Sequence, residues 1–488
     1  MRVSQVFGLT GSQGTFEFID VDVEKDTQLF IDPAVLANLH SSWADSCTAA
    51  VQSFFQEVLD RIIAGDAKGA KQLMSYLGEE NATHLGFSSI SRGSGVGDGL
   101  AERFYDELST STAVATGLVK DLEDTALLIE GVREDRISDV TTNIIRRQLI
   151  EFTQDTARYH GIPMQAGVAV GPYWDTASKQ WKPETFELPV TAHGPLILVP
   201  KAIVRRSLFF NPGQYYRHYV LEFFKYKELN DAKSPLVYLL KSGQRRVNKA
   251  DVEAKYRKKH RTNVPGIEKR VNVDGTQQNP DLLGEYKTAK LQHPPTPQPH
   301  TIISEATATS GPNLEALLAA VINLEAGPEN ATKYERAIEA LLSALLYPDL
   351  VNPIRQENIH QGRKRIDISF TNCGEESGFF YWLAMHYPAA NILAECKNYG
   401  RPLANPEYDQ IAGRFSPSRG KVGLLIYREI ENKQKVLDSC HDTAADDRGF
   451  VIALDDEDLK ALVQESKTTG SCSAIGGLLH SRFKDLIA

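Results

Sequence analysis

The stretch from Lys364 to Arg428 constrains this chain more than any other, because strands of two-residue period alternate in it with short helices. It reads KRIDISFTN, an aromatic helix, NILAECKNYG, a polar helix DQIAGRF, and then GLLIYR. In the first strand Ile366, Ile368 and Phe370 are expected on one face and Asp367 on the other, since successive strand side chains point opposite ways. In the second, Glu395 and Lys397 stand two apart and share a face, with Ile392, Ala394 and Cys396 on the opposite one. Pairing the strands with Asp367 beside Glu395 would gather two carboxylates and an ammonium in one cleft. Such a cleft suits a divalent metal and phosphodiester hydrolysis.

The tripeptide alone carries little weight. Glu-x-Lys occurs at Glu253/Lys255, Glu285/Lys287, Glu395/Lys397, Glu431/Lys433 and Glu465/Lys467. Four of these lie in charged or polar surroundings and read as helix surface or loop. Only Glu395/Lys397 interrupts an apolar strand that follows an Asp-bearing one. Charges there are costly to desolvate unless they are paired or bound to metal.

On these residues the stretch resembles the PD-(D/E)xK nuclease superfamily, the restriction-endonuclease-like fold, and within it the Mrr-like prokaryotic branch. The resemblance implies an acid on a leading helix, an Asp on one strand, Glu-x-Lys on the next, a helix bearing Gln, and a further strand. Lys333-Tyr334-Glu335-Arg336 opens a helix with apolar Tyr334, Ile338, Leu341, Leu342 and Leu345. By resemblance Glu335 is the leading-helix acid, with Glu339 one turn later as its alternative. Asp367 and Glu395 match the metal ligands, Lys397 the motif lysine and Gln410 the helix glutamine. The proline that names the motif is replaced by Ile366. The likeness begins near Leu314 and says nothing about the residues before it.

The chemistry accounts for the residue types. Mg²⁺, with Mn²⁺ as a substitute, takes hard oxygen ligands, so Asp367 and Glu395 suit it and the Cys396 carbonyl is a further candidate. The metal would polarise the phosphate and lower the pKa of a bound water. Lys397 would orient that water or stabilise charge on the phosphoryl oxygens. The competing reading is a structural ion pair between Asp367 and Lys397 in an inactive domain. Past the lysine, Asn398, Tyr399 and Arg401 precede a helix over 406–415. Gln410 and Arg414 share a face of that helix, which directs Arg414, and with it Arg419 and Lys421, toward substrate phosphates.

A net charge of −9 opposes nucleic-acid binding unless the cations are concentrated. They are: residues 201–270 hold 18 Lys/Arg against 6 Asp/Glu, so the remainder of the chain is strongly acidic. Arg245-Arg246 and Lys255-Tyr-Arg257-Lys258-Lys259-His260-Arg261 are the dense polar candidates for phosphate contact, the latter read as one helix. The aromatic pairs Phe209-Phe210 and Phe223-Phe224 read first as core and second as stacking platforms. Arg146-Arg147 is a minor phosphate candidate.

Along the chain, alternation up to about residue 30 suggests an opening β-hairpin (Phe16, Phe18, Val21, Val23), and Trp43–Leu77 reads as helical. The glycine-rich run 92–99 reads first as a turn and second as a phosphate cradle. A helix is expected over 140–159 with Ser138 or Asp139 as N-cap, and two short strands around His193. Gln292–His300 and the Ser/Thr/Ala-rich stretch to Gly311 read as an extended linker. After Arg428 a strand at 450–454 and a helix at 456–464 complete an order of helix, two strands, helix, strand, helix, strand, helix.

These readings give an α/β chain: a C-terminal restriction-endonuclease-like mixed sheet flanked by helices, preceded by a larger mixed α+β N-terminal module. The boundaries are 1–288 for the recognition or regulatory module with its basic segment 201–270, 289–312 for the linker, and 313–488 for the nuclease domain. No run of eighteen apolar residues and no signal pattern is present, so a soluble, cytoplasmic protein without membrane contact is expected. Five cysteines without Cys-x-x-Cys spacing indicate neither zinc nor a disulfide framework. The expected function is Mg²⁺-dependent endonucleolytic cleavage of nucleic acid, DNA favoured, in anti-phage or restriction defence. A homodimer is expected, since cutting a duplex takes two sites, along with partner proteins of a defence operon. The alternatives are a non-cleaving binding or assembly subunit and an effector gated by an N-terminal nucleotide or protein sensor.

Overall fold

A computed structural model of the 488-residue chain describes every residue except 79, 87–96, 261–265, 360–363, 402, 404 and 429–431. The first three hundred residues are mainly helical, joined by strand pairs of two to four residues. The longest helix, α1 (Ser42–Ile63), is capped by Ser41, whose hydroxyl accepts the Ala44 N–H at 3.2 Å. It buries Cys47, Val51, Phe54, Phe55 and Val58 at helical spacing. The helix expected over 140–159 is two helices, α2 (Glu134–Ile144) and α3 (Arg146–His160), broken at Ile145. Ser138 is no N-cap: it lies within α2, and its hydroxyl accepts the Ile31 N–H at 3.0 Å.

The opening alternation does not make a hairpin. Phe16, Phe18, Val21 and Val23 are buried, but so are Glu17 and Asp20, so the segment has no solvent face to define a pleat. Its backbone bonds go to scattered partners, Ile19 N–H to the Val199 carbonyl and Lys201 N–H to the Glu17 carbonyl. The short strands around His193 are present, Val190–Thr191 pairing with Gly194–Pro195. Phe209, Phe210 and Phe224 are core, as expected first.

Further on come α4 (Leu221–Asn230), the hairpin β1 (Val237–Leu239) and β2 (Arg245–Val247), and α5 (Lys249–Lys258). The segment read as an extended linker is a fixed strap. The Thr296 carbonyl accepts from Arg205 at 2.9 Å and the Gln298 carbonyl from the Tyr347 hydroxyl at 2.6 Å. Then α6 (His300–Thr307) buries Ile303 in the N-terminal core.

The C-terminal part runs α7 (Ala331–Leu345), β3 (Leu350–Ile359), β4 (Lys364–Asn372), α8 (Phe379–His386), β5 (Asn391–Lys397), α9 (Asn405–Ala412), β6 (Val422–Tyr427), α10 (Lys433–Ala445), β7 (Phe450–Leu454), α11 (Asp456–Thr469) and α12 (Leu478–Ile487). This exceeds the expected order; strand β3, helix α12 and a helix Leu314–Ile322 ahead of α7 are the unforeseen pieces. The five strands form one mixed sheet in chain order, antiparallel from β3 to β5 and parallel from β5 to β7. Strand β6 (VGLLIY) is buried at every position, as a parallel strand covered on both faces must be. Strand β3 escaped the sequence reading because Pro353 and a bulge between Val351 and Ile354 break its alternation, which only an edge strand tolerates.

The sheet has its own core, with Tyr334, Ile338, Leu342, Ile368, Phe370, Ile392, Leu424 and Leu454 buried together. A second core spans residues 3–303 and takes in Tyr347 and Val351. Among the described residues no helix is long and apolar enough to cross a membrane.

Candidate active site

Strand pairing brings the acidic residues together. The β4–β5 ladder pairs Phe370 with Ile392 and Ile368 with Ala394 and then stops, so Asp367 and Glu395 fall at the next step. There a side chain replaces the backbone: Asp367 Oδ2 accepts the Cys396 N–H at 2.9 Å. On the outer side Gln356, at φ +50, occupies the position opposite Asp367 between the pairs Arg355/Ile368 and Glu357/Ile366. The strict alternation expected for β4 slips at this point. Ile366 packs with Leu393 and Phe415, whereas Ile368 and Phe370 lie opposite Ala394 and Ile392, on the other face. The correction has a local cause, a left-handed residue beside Asp367 and a ladder that opens there.

Glu395 and Lys397 share a face of β5, beneath α9. Both are almost wholly buried. Lys397 Nζ donates to Glu395 Oε1 at 2.8 Å and to Gln410 Oε1 at 3.0 Å, while the Gln410 amide also donates to Glu395 Oε1. Gln410 therefore holds acid and lysine in one arrangement. The other oxygen, Glu395 Oε2, is buried and has no hydrogen-bond donor among the described residues; the Arg414 Nε lies 3.7 Å from it. Burial, and then the Asp367 charge, raise the Glu395 carboxyl above the ordinary range, with Lys397 and Arg414 opposing.

Glu335 approaches from α7. Gln356 donates to its Oε1 at 2.8 Å, and burial, with the Asp367 charge also contributing, raises its carboxyl. Glu339, its alternative, is drawn elsewhere: Arg355 Nη2 lies 2.6 Å from its Oε1, and the Tyr159 hydroxyl bonds its Oε2.

The donor set fits a hard cation. Asp367 and the undonated Glu395 Oε2 are anionic oxygens, and the Cys396 carbonyl lies on the same short run of backbone. Among the described residues no group of three or more His, Cys, Asp or Glu side chains converges as a metal cage, so water and substrate oxygens would complete such a shell.

Arg414, expected at substrate phosphates, is buried and turned inward. Its Nη1 donates to the Gln410 carbonyl at 2.6 Å and its Nε to the Arg365 carbonyl, which ties the end of α9 to β4 two residues from Asp367. Arg419 donates to the Arg414 carbonyl at 3.0 Å, and Lys421 pairs with Asp447 at 3.0 Å. Gln356 and Arg414 are the positioning residues that sequence reasoning missed or misread. The Gln410/Arg414 spacing was the only signal for either.

The basic candidates sort differently. Arg245, Arg246, Lys258 and Lys259 are exposed. Arg257 is half-buried instead, 3.2 Å from Glu253 and lying over the Tyr216 ring. Helix α5 ends at Lys258, and Arg261 lies outside the described residues. Arg146 is buried, 2.7 Å from Glu80, which removes it from any phosphate surface. Of the glycine-rich run, residues 92–96 lie outside the described residues, and the rest begins the helix Gly97–Ser109.

The class defined so far is a mixed α/β chain whose C-terminal sheet carries two acids and a lysine, met by a glutamine from helix α9. Residues 8–211 match a protein-family model described as Domain of unknown function (DUF8370). That match lies in the N-terminal part and stops short of the strands bearing the cluster. No curated protein and no solved structure matches the chain.

Proposed function

We propose that the chain is a metal-dependent nuclease whose C-terminal domain, of restriction-endonuclease-like kind, hydrolyses phosphodiester bonds, DNA being the favoured substrate. One observation carries this reading: the ladder opens at Asp367 beside a buried Glu395 whose Oε2 has no donor among the described residues, with Lys397 and Gln410 locked against Oε1.

Asp367 and Glu395 are the residues that would hold Mg²⁺ or Mn²⁺. When bound, the ion supplies Lewis-acid polarisation of the phosphate and lowers the pKa of a water. Asp367 is held by the Cys396 amide, so its remaining oxygen lone pairs are aimed without rotamer search. Lys397 Nζ has three donors; two are used by Glu395 and Gln410, and the third is left to steady the attacking water or a phosphoryl oxygen. The water oxygen bonds to phosphorus as the bond to the leaving sugar oxygen breaks and that oxygen takes up a proton. Glu335, its carboxyl raised, serves as a further acid at the edge of the site.

The test is direct. Purified full-length protein is incubated with plasmid, linear DNA and RNA, with Mg²⁺, with Mn²⁺ and with EDTA. Cutting that requires the metal and is lost in Lys397→Ala supports the enzyme. Absence of metal-dependent cutting on every substrate, or cutting that survives Lys397→Ala, turns the reading to a non-cleaving subunit.

A further inference from the structure

The basic block 201–270 is not one surface. Many of its cations are consumed internally: Lys201 and Lys269 are buried, Lys249 pairs with Glu222 at 2.8 Å, Lys255 with Glu228 at 2.5 Å, and Arg270 with Glu130 at 2.5 Å. Of the cations outside such pairs, Lys258 and Lys259 lie exposed at the end of α5, and Lys241, Arg245 and Arg246 sit together on the hairpin β1–β2. Between residues 232 and 250 the chain has Lys233, Lys241, Arg245, Arg246 and Lys249 and not one acid. Among the described residues no carboxylate lies within ion-pair distance of Lys241, Arg245 or Arg246, and all three are exposed.

The hairpin is built to present them. Val247 is buried and pairs with Val237, seating the base, and Arg245 Nη2 donates to the Asp231 carbonyl at 2.9 Å. The tip is closed by Leu240 N–H to the Gln244 carbonyl and Gly243 N–H to the Leu240 carbonyl, with Gly243 at φ +79. Across the strands Arg246 pairs with Tyr238 and Arg245 with Leu239. Tyr238 is 49% exposed and Leu239 69% exposed, so the Tyr238 ring is open to solvent on the strand that faces Arg246.

We infer that the β1–β2 hairpin is a nucleic-acid-binding element, taking phosphates on Lys241, Arg245 and Arg246 and stacking a base on Tyr238. Three cations without an ion-pair partner among the described residues, close together in a stretch free of acids, give a local attraction for a polyanion on a chain of net charge −9. A tyrosine beside a guanidinium suits a base and its phosphate. One exposed leucine is a small footing for a lipid surface, which wants a broad apolar face. The inference does not depend on the cutting site, because it concerns binding alone.

The test is fluorescence anisotropy of the full-length protein in EDTA with labelled single-stranded and duplex DNA and RNA, across a salt series. Lys241→Glu/Arg245→Glu/Arg246→Glu is expected to weaken binding at least about tenfold. It should also flatten the salt dependence, by about 0.7 to 0.9 in log-log slope for every phosphate that is no longer neutralised. Lys68→Glu, the reversal of an exposed cation on the helix Ala67–Met74, is expected to bind as wild type. Tyr238→Ala is expected to weaken single strands more than duplex. The inference is overturned if the wild type binds no nucleic acid, if the triple variant binds equally well, or if only anionic phospholipid vesicles are bound. Hairpin-dependent binding without metal-dependent cutting would sink the nuclease reading and leave this one standing. Cutting with hairpin-independent binding would do the reverse.

Discussion

The Cys396 N–H donates to Asp367 Oδ2 at 2.9 Å, so a carboxylate completes the ladder at the step where backbone pairing between β4 and β5 ends. One side chain thus both closes the sheet and stands at the step beside Glu395. Asp367→Asn keeps an acceptor for the amide and loses the charge; Asp367→Ala loses both. Each is expected to lower metal-dependent plasmid nicking by about a thousandfold or more, on the order of 4 kcal/mol in the barrier. In denaturant unfolding the Asn variant should stay near wild type and the Ala variant lose about 1 kcal/mol, the cost of an unsatisfied, part-buried N–H. Equal stability of the two would remove the structural half of this account.

Gln410 donates to Glu395 and accepts from Lys397, so its loss frees both from their shared geometry. Gln410→Leu should fold normally yet cut about 10- to 100-fold less, with the Mg²⁺ requirement shifted to higher concentration. Metal titrations of nicking rate decide this. A wild-type metal dependence would show that Glu395 is held by other groups.

Arg355 on β3 fastens the two parts of the molecule. Its side chain is mostly buried, with Nη1 2.9 Å from Glu17 and Nη2 2.6 Å from Glu339, its guanidinium over the Tyr159 ring at 3.7 Å. Burial alone would raise the Glu17 carboxyl, but Arg355 and His160 hold it well below the carboxylate range. Arg355→Met would leave two buried carboxylates without their guanidinium, with an expected loss of about 3–5 kcal/mol in denaturant unfolding. Glu17→Gln combined with Arg355→Met should cost less than the sum of the two single changes. Strict additivity would mean that the pair is not coupled.

His300 lies on the strap helix α6, its Nε2 2.9 Å from the Ala344 carbonyl of α7. Burial, and after it the Lys201 charge, pull its imidazole from 6.5 down to about 4. A depressed histidine binds its proton first in the unfolded chain. Stability is therefore complete above about 6.5 and is lost as the pH falls toward 4, by about 3 kcal/mol. His300→Gln should flatten that part of the stability-against-pH curve. An unchanged slope between pH 6.5 and 4 would assign the acid loss to other groups.

What was legible in the chain was local. Glu395 and Lys397 could be picked out because charges on an apolar strand are expensive, and that cost is visible from the neighbours alone; Asp367 followed from the alternation of the preceding strand, and Gln410 from the resemblance. The burial of Phe209 and Phe224 and the fully apolar β6 were readable for the same reason. The opening segment was misread because alternation signals a strand only when one face meets water, and the core that covers Glu17 and Asp20 comes from residues far along the chain. Arg414 pointing into the site, Arg257 pairing within its helix and Gln356 bending β3 beside Asp367 all rest on contacts that spacing cannot specify.

Taken alone, then, the order of residues determined which groups are chemically capable and which strands carry them. Which cations stay free, where the ladder opens and how the N-terminal part is pinned to the sheet were decided only by tertiary structure. The reason is that a charge's surroundings, and hence its energy, are set by neighbours distant in the chain.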